Sequence, residues 1–397
     1  MSNRFKVASR VSAMKGSATL EAARKAAELR QSGIDVIDLT VGEPDFDTPE
    51  FIKDFAISEL KAGRTKYTPS AGARKFVSSV ASFFNDQFGA DLSPNEVAAS
   101  CGGKQALFNA VCTLINPGDE VLIPRPYWVT FPEIVTFAGG KSVFIDTDRS
   151  GFILTAEAVA ESITERTRLL ILNSPNNPSG RVIPPREIRR IVEICAEQNV
   201  FVLTDECYLF FVYPPAEVYT AAVLPPELRK FVCIAGSFSK TFAMTGWRIG
   251  FTIANAEWTR AMIKLQSHSA THPTSFVQYA CADALANRLQ MLESIESMLA
   301  EYRRRRDWLI PELNGITGFT CAMPEGAFYA FVDVRKLLSE KFPSAAAVSE
   351  YLLNNSHVMV TDGAAFGADG FLRFSYATSL ENLRQAVDAI KHLFGTD

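Results

Sequence analysis

Short apolar runs alternate with helical patterns through the middle of the chain, and this alternation constrains the fold more than any other feature. The runs have the length and composition of buried strands and fall at 97–100, 121–123, 142–145, 169–172, 201–204, 231–234 and 249–253. Helical periodicity occupies most of the intervals, for example at 105–114 and 186–198. Such alternation predicts an α/β domain whose mostly parallel, seven-stranded sheet is flanked by helices.

The pattern changes after about residue 275. A long helical stretch at 275–313 is followed by short strands and helices, which predicts a second, smaller α+β domain. A chain of 397 residues is also too long for one compact core. We expect an N-terminal arm with a small-domain segment at 1–46, a large domain at 47–286 and a small C-terminal domain at 287–397.

The composition is typical of a soluble globular protein, with 47% apolar and 21% charged residues. A formal net charge of −4 favours neither nucleic acid nor a membrane as partner. No apolar run is long enough to span a bilayer, and the first residues lack a signal-peptide hydrophobic region. Seven cysteines without a Cys-x-x-Cys pair, and only four histidines, predict a cytoplasmic protein without a metal site. We expect the basic run at 303–306 to be a solvated helix face.

One lysine stands where a predicted strand meets a turn rich in polar residues. The apolar run at 231–235 leads to Ser237 and Lys240, and Arg248 follows eight residues after the lysine. A lysine amine beside a hydroxyl and a guanidinium is suited to hold pyridoxal phosphate. The amine forms a Schiff base with the aldehyde, and the other two groups bind the phosphate. A lone lysine after a strand is more often a surface residue, but this spacing favours the cofactor.

The run Ser-Lys-Thr-Phe-Ala-Met-Thr-Gly-Trp-Arg-Ile-Gly around Lys240 resembles the fold-type-I aminotransferases of the aspartate aminotransferase family, above all their bacterial subgroup. The resemblance extends from Arg10 to about Arg384. It implies the fold-type-I architecture, a pyridoxal-phosphate-binding large domain, a homodimer with shared active sites, and a helix at 17–30 that joins the small domain. It also implies transamination in two half-reactions, in which Lys240 removes the α-proton and returns it at the aldehyde-derived carbon of the cofactor.

Gly102, Gly103 and Lys104 follow the first predicted strand and open a helix. Glycine lets the backbone approach an anion, and a helix N-terminus favours phosphate, although a glycine pair is equally typical of a plain turn. By resemblance, these residues complete a phosphate-binding cup with Ser237 and Arg248. Tyr67, in Thr-Lys-Tyr-Thr-Pro, matches the tyrosine that reaches the phosphate bound by the partner subunit.

Asp205 ends an apolar run, where a buried carboxylate needs a partner. A pyridinium N–H would be one, whereas a helix cap or a structural salt bridge is the alternative from residue type alone. The string Asp-Glu-Cys-Tyr matches the family's Asp-Glu-x-Tyr. By resemblance, Asp205 keeps the ring nitrogen protonated, Cys207 packs on one face of the ring, and Tyr208 binds its phenolic oxygen. Asn177, in Asn-Pro-Ser-Gly, holds the same oxygen, and its bond to Pro178 is a candidate for the cis form.

Three further residues match positions that bind the ring or the substrate. Trp128 matches the tryptophan that stacks on the pyridine ring, and a core tryptophan is the alternative. Arg373, in Leu-Arg-Phe-Ser-Tyr, matches the arginine that binds the α-carboxylate, for which its planar fork is suited. Gly42 would add a backbone N–H. The resemblance places Trp128, Asn177 and Lys104 against the substrate as well.

Lys104 carries the prediction of the substrate. A dicarboxylate needs a second cation beside Arg373, and the stretch at 267–273, where the best-known relatives have an arginine, has none. In the bacterial subgroup, the lysine of Gly-Gly-Lys-Gln does this work, so we expect aspartate as amino donor and 2-oxoglutarate as acceptor. His272 is a second, weaker candidate for the same role.

Several alternatives remain open at this point. Lys104 could neutralise only the cofactor phosphate. A prephenate or aromatic aminotransferase of the same fold has similar motifs, and so does a carbon–sulfur lyase. A regulator that binds pyridoxal phosphate would need a DNA-binding domain before the motifs, which begin within about forty residues of the start.

Overall fold

The computed structural model describes residues 5–16, 24, 28–31, 33 and 35–396. The predicted helix at 17–30 lies largely outside these residues. The helices with described bounds are Ser9–Ser12, Glu50–Lys61, Arg74–Phe88, Gly103–Leu114, Thr130–Ala138, Ala156–Ser162, Pro185–Glu197, Pro226–Arg229, Phe238–Thr241, Ala256–Ser267, Ser275–Ala286, Arg288–Asn314, Ala345–Ser356 and Leu380–Phe394. None of them is both long and apolar enough to cross a membrane.

The large sheet has the seven strands that the sequence predicts. The strands of the described residues, numbered β1 to β13, are Ile37–Asp38, Val97–Ser100, Glu120–Arg125, Lys141–Asp146, Thr167–Asn173, Phe201–Asp205, Val232–Ser237, Gly250–Ala254, Thr320–Cys321, Tyr329–Asp333, Val358–Met359, Thr361–Asp362 and Phe371–Ser375. The large sheet has the order β2-β8-β7-β6-β5-β3-β4. Only β8 runs in the opposite direction to the other six strands. The mostly parallel α/β architecture is therefore confirmed.

Both faces of this sheet are buried, because successive side chains of a strand point to opposite sides. On β5, Leu170 and Leu172 pack in one core cluster and Leu169 and Ile171 in another. The first cluster includes side chains of the helices 74–88, 185–197 and 275–286, and the second includes those of 103–114, 130–138 and 256–267. Helices on both faces leave the carboxyl edge of the parallel strands as the place for a ligand site.

The C-terminal part has its own antiparallel sheet, in the order β12-β13-β10-β9. It packs with the helices 288–314, 345–356 and 380–394 around a separate core. The short strand β1 pairs in parallel with β11, so residues near the beginning of the chain join this part. On this basis we propose that the segment around β1 forms one small domain with residues 287–397.

Two predictions about the helices need correction. The helical stretch at 275–313 is two helices, because Asn287 leaves helical geometry with φ −86° and ψ 61°. The basic run is also only partly solvated, since Arg305 and Arg306 are buried. Arg305 forms ion pairs with Asp45 and Glu301. The sequence did not show that other segments cover this face of the helix.

Candidate active site

Lys240 lies just beyond the carboxyl end of β7. The strand ends at Ser237, which caps the one-turn helix Phe238–Thr241 by accepting a hydrogen bond from the Ser239 N–H at 3.0 Å. The lysine is therefore held in a helix rather than in the expected turn. Its Nζ donates to the Gly42 carbonyl at 2.5 Å, and the role of the Gly42 N–H toward the substrate stays a prediction. Burial is the main reason that the pKa of Lys240 is below its usual value, which favours a neutral amine.

Arg248 packs against backbone that only glycine permits. A Cβ at Gly102 would lie 2.6 Å from Nη2 of Arg248, and Gly102 has a φ of +80°. A Cβ at Gly103 would lie 2.9 Å from the Cys207 sulfur. These glycines begin the helix Gly103–Leu114, whose first N–H groups have no acceptor within the helix. A guanidinium beside free N–H groups at a helix N-terminus forms an anion-binding corner.

Asp205 ends β6, next to the strand that leads to Lys240. Its Oδ1 accepts from the Cys207 N–H at 3.1 Å, and no Lys or Arg of the described residues forms an ion pair with it. Burial raises the pKa of Asp205 to about 6, and the nearby Lys240 opposes this shift. Burial also raises the pKa of the Cys207 thiol, which keeps it neutral. A buried carboxylate of this kind can accept a hydrogen bond from a protonated nitrogen of a ligand.

The Tyr208 hydroxyl lies 2.7 Å from the hydroxyl of Tyr329. Both side chains are buried, and burial raises the pKa of each phenol, so both are neutral. Sequence reasoning missed Tyr329. The run Gly-Ala-Phe-Tyr-Ala-Phe-Val that contains it has no feature that singles out this tyrosine, and only the contact with Tyr208 distinguishes its role.

Arg373, on β13, is held on three sides. Nη1 donates to Asn177 Oδ1 at 3.0 Å, and Nη2 donates to the Thr40 carbonyl at 2.7 Å. The guanidinium carbon lies 4.5 Å from the ring centre of Tyr329 and 4.8 Å from that of Phe366. Its buried Nε has no partner among the described residues, so one donor of the fork remains available. The Asn177–Pro178 bond is cis, as predicted.

The remaining predicted residues are Lys104, Trp128 and Tyr67. Lys104 Nζ is 4.9 Å from the ring centre of Trp128. Burial, and then the charge of Arg248, lowers the pKa of Lys104, so an anion at this place would stabilise its charged form. Tyr67 does not point into the protein. Its side chain is 89% exposed and meets the ring of His272 edge-on.

Asp362 begins the loop that joins β12 to β13. Its Oδ1 accepts from the Ala364 N–H at 3.2 Å and caps a short helix. The preceding Thr361 accepts from Arg373 at 3.4 Å. The loop between β12 and β13 is thus held by side-chain capping.

Together, the described groups combine three cations and one buried amine with one buried carboxylate. Lys104, Arg248 and Arg373 can hold anionic parts of ligands, Lys240 offers an amine, and Asp205 can hold a protonated nitrogen. Such a site, at the carboxyl edge of a mostly parallel sheet, defines an α/β enzyme that acts on small anionic molecules.

Comparisons with known proteins give the family. The model of aminotransferase class I and II matches residues 34–390. The chain is 40% identical over 387 residues to the aspartate/prephenate aminotransferase of Thermus thermophilus, covering 97% of this chain and 98% of the relative. It is 39% identical over 390 residues to the aspartate aminotransferase of Geobacillus stearothermophilus, with coverage of 97% and 98%. The solved aspartate aminotransferase from Thermus thermophilus with maleate matches it with a TM-score of 0.93 at 38% identity, covering 98% of this chain and 100% of the other. The chain therefore belongs to the class I and II aminotransferases and is a transaminase.

Proposed function

We propose that this transaminase uses pyridoxal phosphate to move the amino group between aspartate and 2-oxoglutarate. One observation carries the proposal: a buried lysine amine lies within the electrostatic reach of both a buried carboxylate and a buried guanidinium. Burial raises the pKa of Asp205 to about 6 and lowers that of Lys240, while the charge of Lys240 partly opposes the first shift and the charge of Arg373 adds to the second. A proton-accepting amine, a partner for a ring nitrogen and a carboxylate-binding fork are therefore close together.

The residues present fit the cofactor. Because Gly102 and Gly103 have no side chains, a corner for phosphate lies open beside Arg248. The Ser237 hydroxyl lies at the end of β7. Asp205 has a backbone N–H as its main hydrogen-bond partner and forms no ion pair with a described Lys or Arg, so a protonated ring nitrogen would satisfy it. When bound, pyridoxal phosphate supplies an aldehyde for the amino group and a protonated ring that withdraws electrons.

The protein's residues have distinct tasks in the reaction. Asp205 holds the proton on the ring nitrogen. Tyr208 and Asn177 bind the phenolic oxygen, and Asn177 does so through its NH₂ because its Oδ1 already accepts from Arg373. Lys240 Nζ, neutral because of burial, removes the proton from the α-carbon of the donor and returns one to the α-carbon of the product in the second half-reaction. Arg373 holds the α-carboxylate through both half-reactions.

Lys104 supports an acidic substrate. Its ammonium lies over Trp128, its pKa is lowered by burial and then by the charge of Arg248, and no described carboxylate forms an ion pair with it. The second carboxylate of aspartate or 2-oxoglutarate would supply that charge. The relatives support the same substrates, since their names include aspartate, and maleate in the Thermus thermophilus structure is a dicarboxylate.

The test of this substrate class compares two lysine variants. Lys104→Ser should raise the KM for aspartate and 2-oxoglutarate by about tenfold or more, and the KM for phenylalanine by much less, because only the dicarboxylates lose a charge partner. Lys230→Ser is the control, since Lys230 lies over Phe231 away from these residues. An equal loss for acidic and aromatic donors would make Lys104 a cofactor residue and remove the main support for aspartate.

Prephenate is a second candidate substrate. It is also a dicarboxylate, so Arg373 and Lys104 would suit it equally, and the Thermus thermophilus relative is named for both substrates. Prephenate offered as acceptor with aspartate as donor should be consumed at a rate comparable to 2-oxoglutarate. The Lys104→Ser variant should lose both acceptors together.

We also propose a cytoplasmic homodimer in which Tyr67 completes the site of the partner subunit. Its high exposure leaves the phenol free to reach another chain, and all seven cysteines are unpaired thiols, as in a reducing compartment. Mixing inactive Tyr67→Phe and Lys240→Ala subunits should restore one active site per hybrid. Mixing Arg373→Lys with Lys240→Ala should add nothing to the residual activity of the Arg373→Lys subunits, because one chain supplies both residues. The opposite pattern would contradict shared sites.

A further inference from the structure

Tyr329 lies where the small-domain sheet meets the large domain. In the pairing of β10 with β13, Tyr329 lies opposite Ser375, and Arg373 lies opposite Phe331. Tyr329 and Arg373 are therefore diagonal neighbours on one face of the sheet. This register explains why the guanidinium lies 4.5 Å from the centre of the tyrosine ring.

The Tyr329 hydroxyl extends from this sheet into the large domain. It lies 2.7 Å from the Tyr208 hydroxyl, in a place where both side chains are buried. It also lies against Gly42, where a Cβ would be 3.2 Å from the hydroxyl oxygen. The carbonyl of the same glycine accepts from Lys240. The Tyr329 hydroxyl thus contacts Tyr208, which the proposed function assigns to the phenolic oxygen, and Gly42, whose carbonyl contacts the catalytic lysine. The ring of Tyr329 packs against Arg373, which the proposed function assigns to the α-carboxylate.

The number of hydrogens in the pair limits its arrangement. A phenol has one hydrogen to donate, and either tyrosine can be the donor between the two oxygens. The phenolic oxygen of the cofactor, when ionised, only accepts. If Tyr208 donates to Tyr329, it has no hydrogen left for the cofactor. The proposed role of Tyr208 therefore requires that Tyr329 donate and Tyr208 accept.

We infer that Tyr329 is a positioning residue that donates its hydroxyl hydrogen to Tyr208 and so directs the Tyr208 hydrogen toward the phenolic oxygen of the cofactor. The inference rests on the proposed function. A hydroxyl that accepts one hydrogen bond donates a stronger one, because consecutive hydrogen bonds polarise one another. Tyr329 therefore controls how much negative charge remains on the phenolic oxygen, without touching the cofactor.

The test measures the pH titration of the absorbance of the bound cofactor in the holoenzyme. Charge on the phenolic oxygen stabilises the proton on the nitrogen that links Lys240 to the cofactor. Tyr329→Phe weakens the bond from Tyr208, so the apparent pKa of the chromophore should rise by about half to one pH unit. Tyr208→Phe should raise it at least as far. The double variant should equal Tyr208→Phe alone, because Tyr329 acts only through Tyr208.

Two controls separate this role from a general loss of packing. Tyr376→Phe removes another buried hydroxyl of the small domain, one that donates to the Ala327 carbonyl, and should leave the chromophore pKa at the parent value. Tyr329→Phe keeps the ring beneath Arg373, so kcat should fall a few-fold with little change in KM, whereas Tyr329→Leu should also raise KM.

The outcomes are distinguishable. A parent enzyme without transaminase activity toward acidic substrates, or without the absorbance of bound cofactor, would contradict the proposed function. If the parent has both and Tyr329→Phe titrates like the parent, the inference about Tyr329 is wrong. It is also wrong if the double variant shifts the pKa by the sum of the two single shifts, since Tyr329 would then act independently of Tyr208.

Discussion

The site has two halves that are assembled in different ways. The large-sheet half contains Asp205, Ser237 and Lys240, and the small-sheet half contains Arg373 and Tyr329. Asp205 and Ser237 occupy the last positions of two adjacent parallel strands, so the strands themselves place them. Arg373 instead depends on distant segments, with partners at Asn177 and Thr40 that are 196 and 333 residues away along the chain. The first half follows from local patterning, whereas the second forms only when segments distant along the chain pack together.

The two halves also differ in their electrostatics. The large-sheet half contains groups whose pKa values burial moves toward neutrality, since Asp205 is raised to about 6 and Lys240 is lowered. The small-sheet half contains a guanidinium that stays charged, bound by neutral oxygens and two aromatic rings. We therefore expect changes in the first half to alter the cofactor and the chemical step. Changes in the second should alter binding of all substrates while sparing the cofactor spectrum, with Tyr329 as the exception because its hydroxyl reaches Tyr208.

The largest effect should come from Lys240→Ala. Loss of the amine removes both the cofactor linkage and the proton acceptor, so kcat should fall by about 10⁴-fold or more, and the absorbance of the lysine–cofactor linkage should disappear. Lys240→Arg keeps a charge but should be equally inactive. Turnover near the parent rate in either variant would mean that Lys240 is not the catalytic base.

Asp205→Asn should lower kcat by about 10³-fold, because the ring nitrogen loses the buried negative charge that keeps it protonated. The KM for the α-carboxylate should change little, since Arg373 is untouched. Steady-state kinetics and the cofactor spectrum check this. Unchanged turnover would place Asp205 in a structural role and weaken the contrast between the two halves.

The same variant should change the pH dependence of stability of the apoenzyme. In the folded protein Asp205 has a pKa of about 6, above its unfolded value, so it binds more protons when folded. Stability from this group is complete below about pH 4 and is lost as pH rises through about 6, a loss on the order of 3 kcal/mol. Urea unfolding at several pH values should show a smaller decline in Asp205→Asn. Glu206, whose pKa burial raises to about 7, contributes in both proteins. Parallel curves would show that Asp205 is not buried as a carboxylate.

The smallest of these effects should come from Arg373→Lys in the small-sheet half. An ammonium cannot match the planar fork, so KM should rise for every amino acid and kcat/KM should fall by about 30- to 100-fold. The cofactor spectrum should stay that of the parent. Arg306→Lys is the matched control, because Arg306 is equally buried but donates to the Pro324 carbonyl, and it should affect stability rather than KM. A shifted spectrum in Arg373→Lys would erase the division between the halves.

Sequence reasoning succeeded where local spacing decides the outcome. All seven predicted strands of the large sheet are present, because short buried strands between amphipathic helices have a distinctive pattern. It was wrong about the run at 303–306, where Arg305 and Arg306 are buried by partners from other parts of the chain. It also missed Tyr329, since nothing in a strand of aromatic residues indicates which hydroxyl meets another.

The sequence by itself determined which residues stand at the ends of the strands and which could supply an amine, a carboxylate and a guanidinium. Those properties depend on hydrophobic periodicity and residue type, which are local. Only the tertiary structure decided that the Lys240 amine meets the Gly42 carbonyl and that Tyr208 meets Tyr329. The physical reason is that burial and hydrogen bonding across 198 and 121 residues of chain arise from packing between segments, and packing also sets the pKa values on which the chemistry depends.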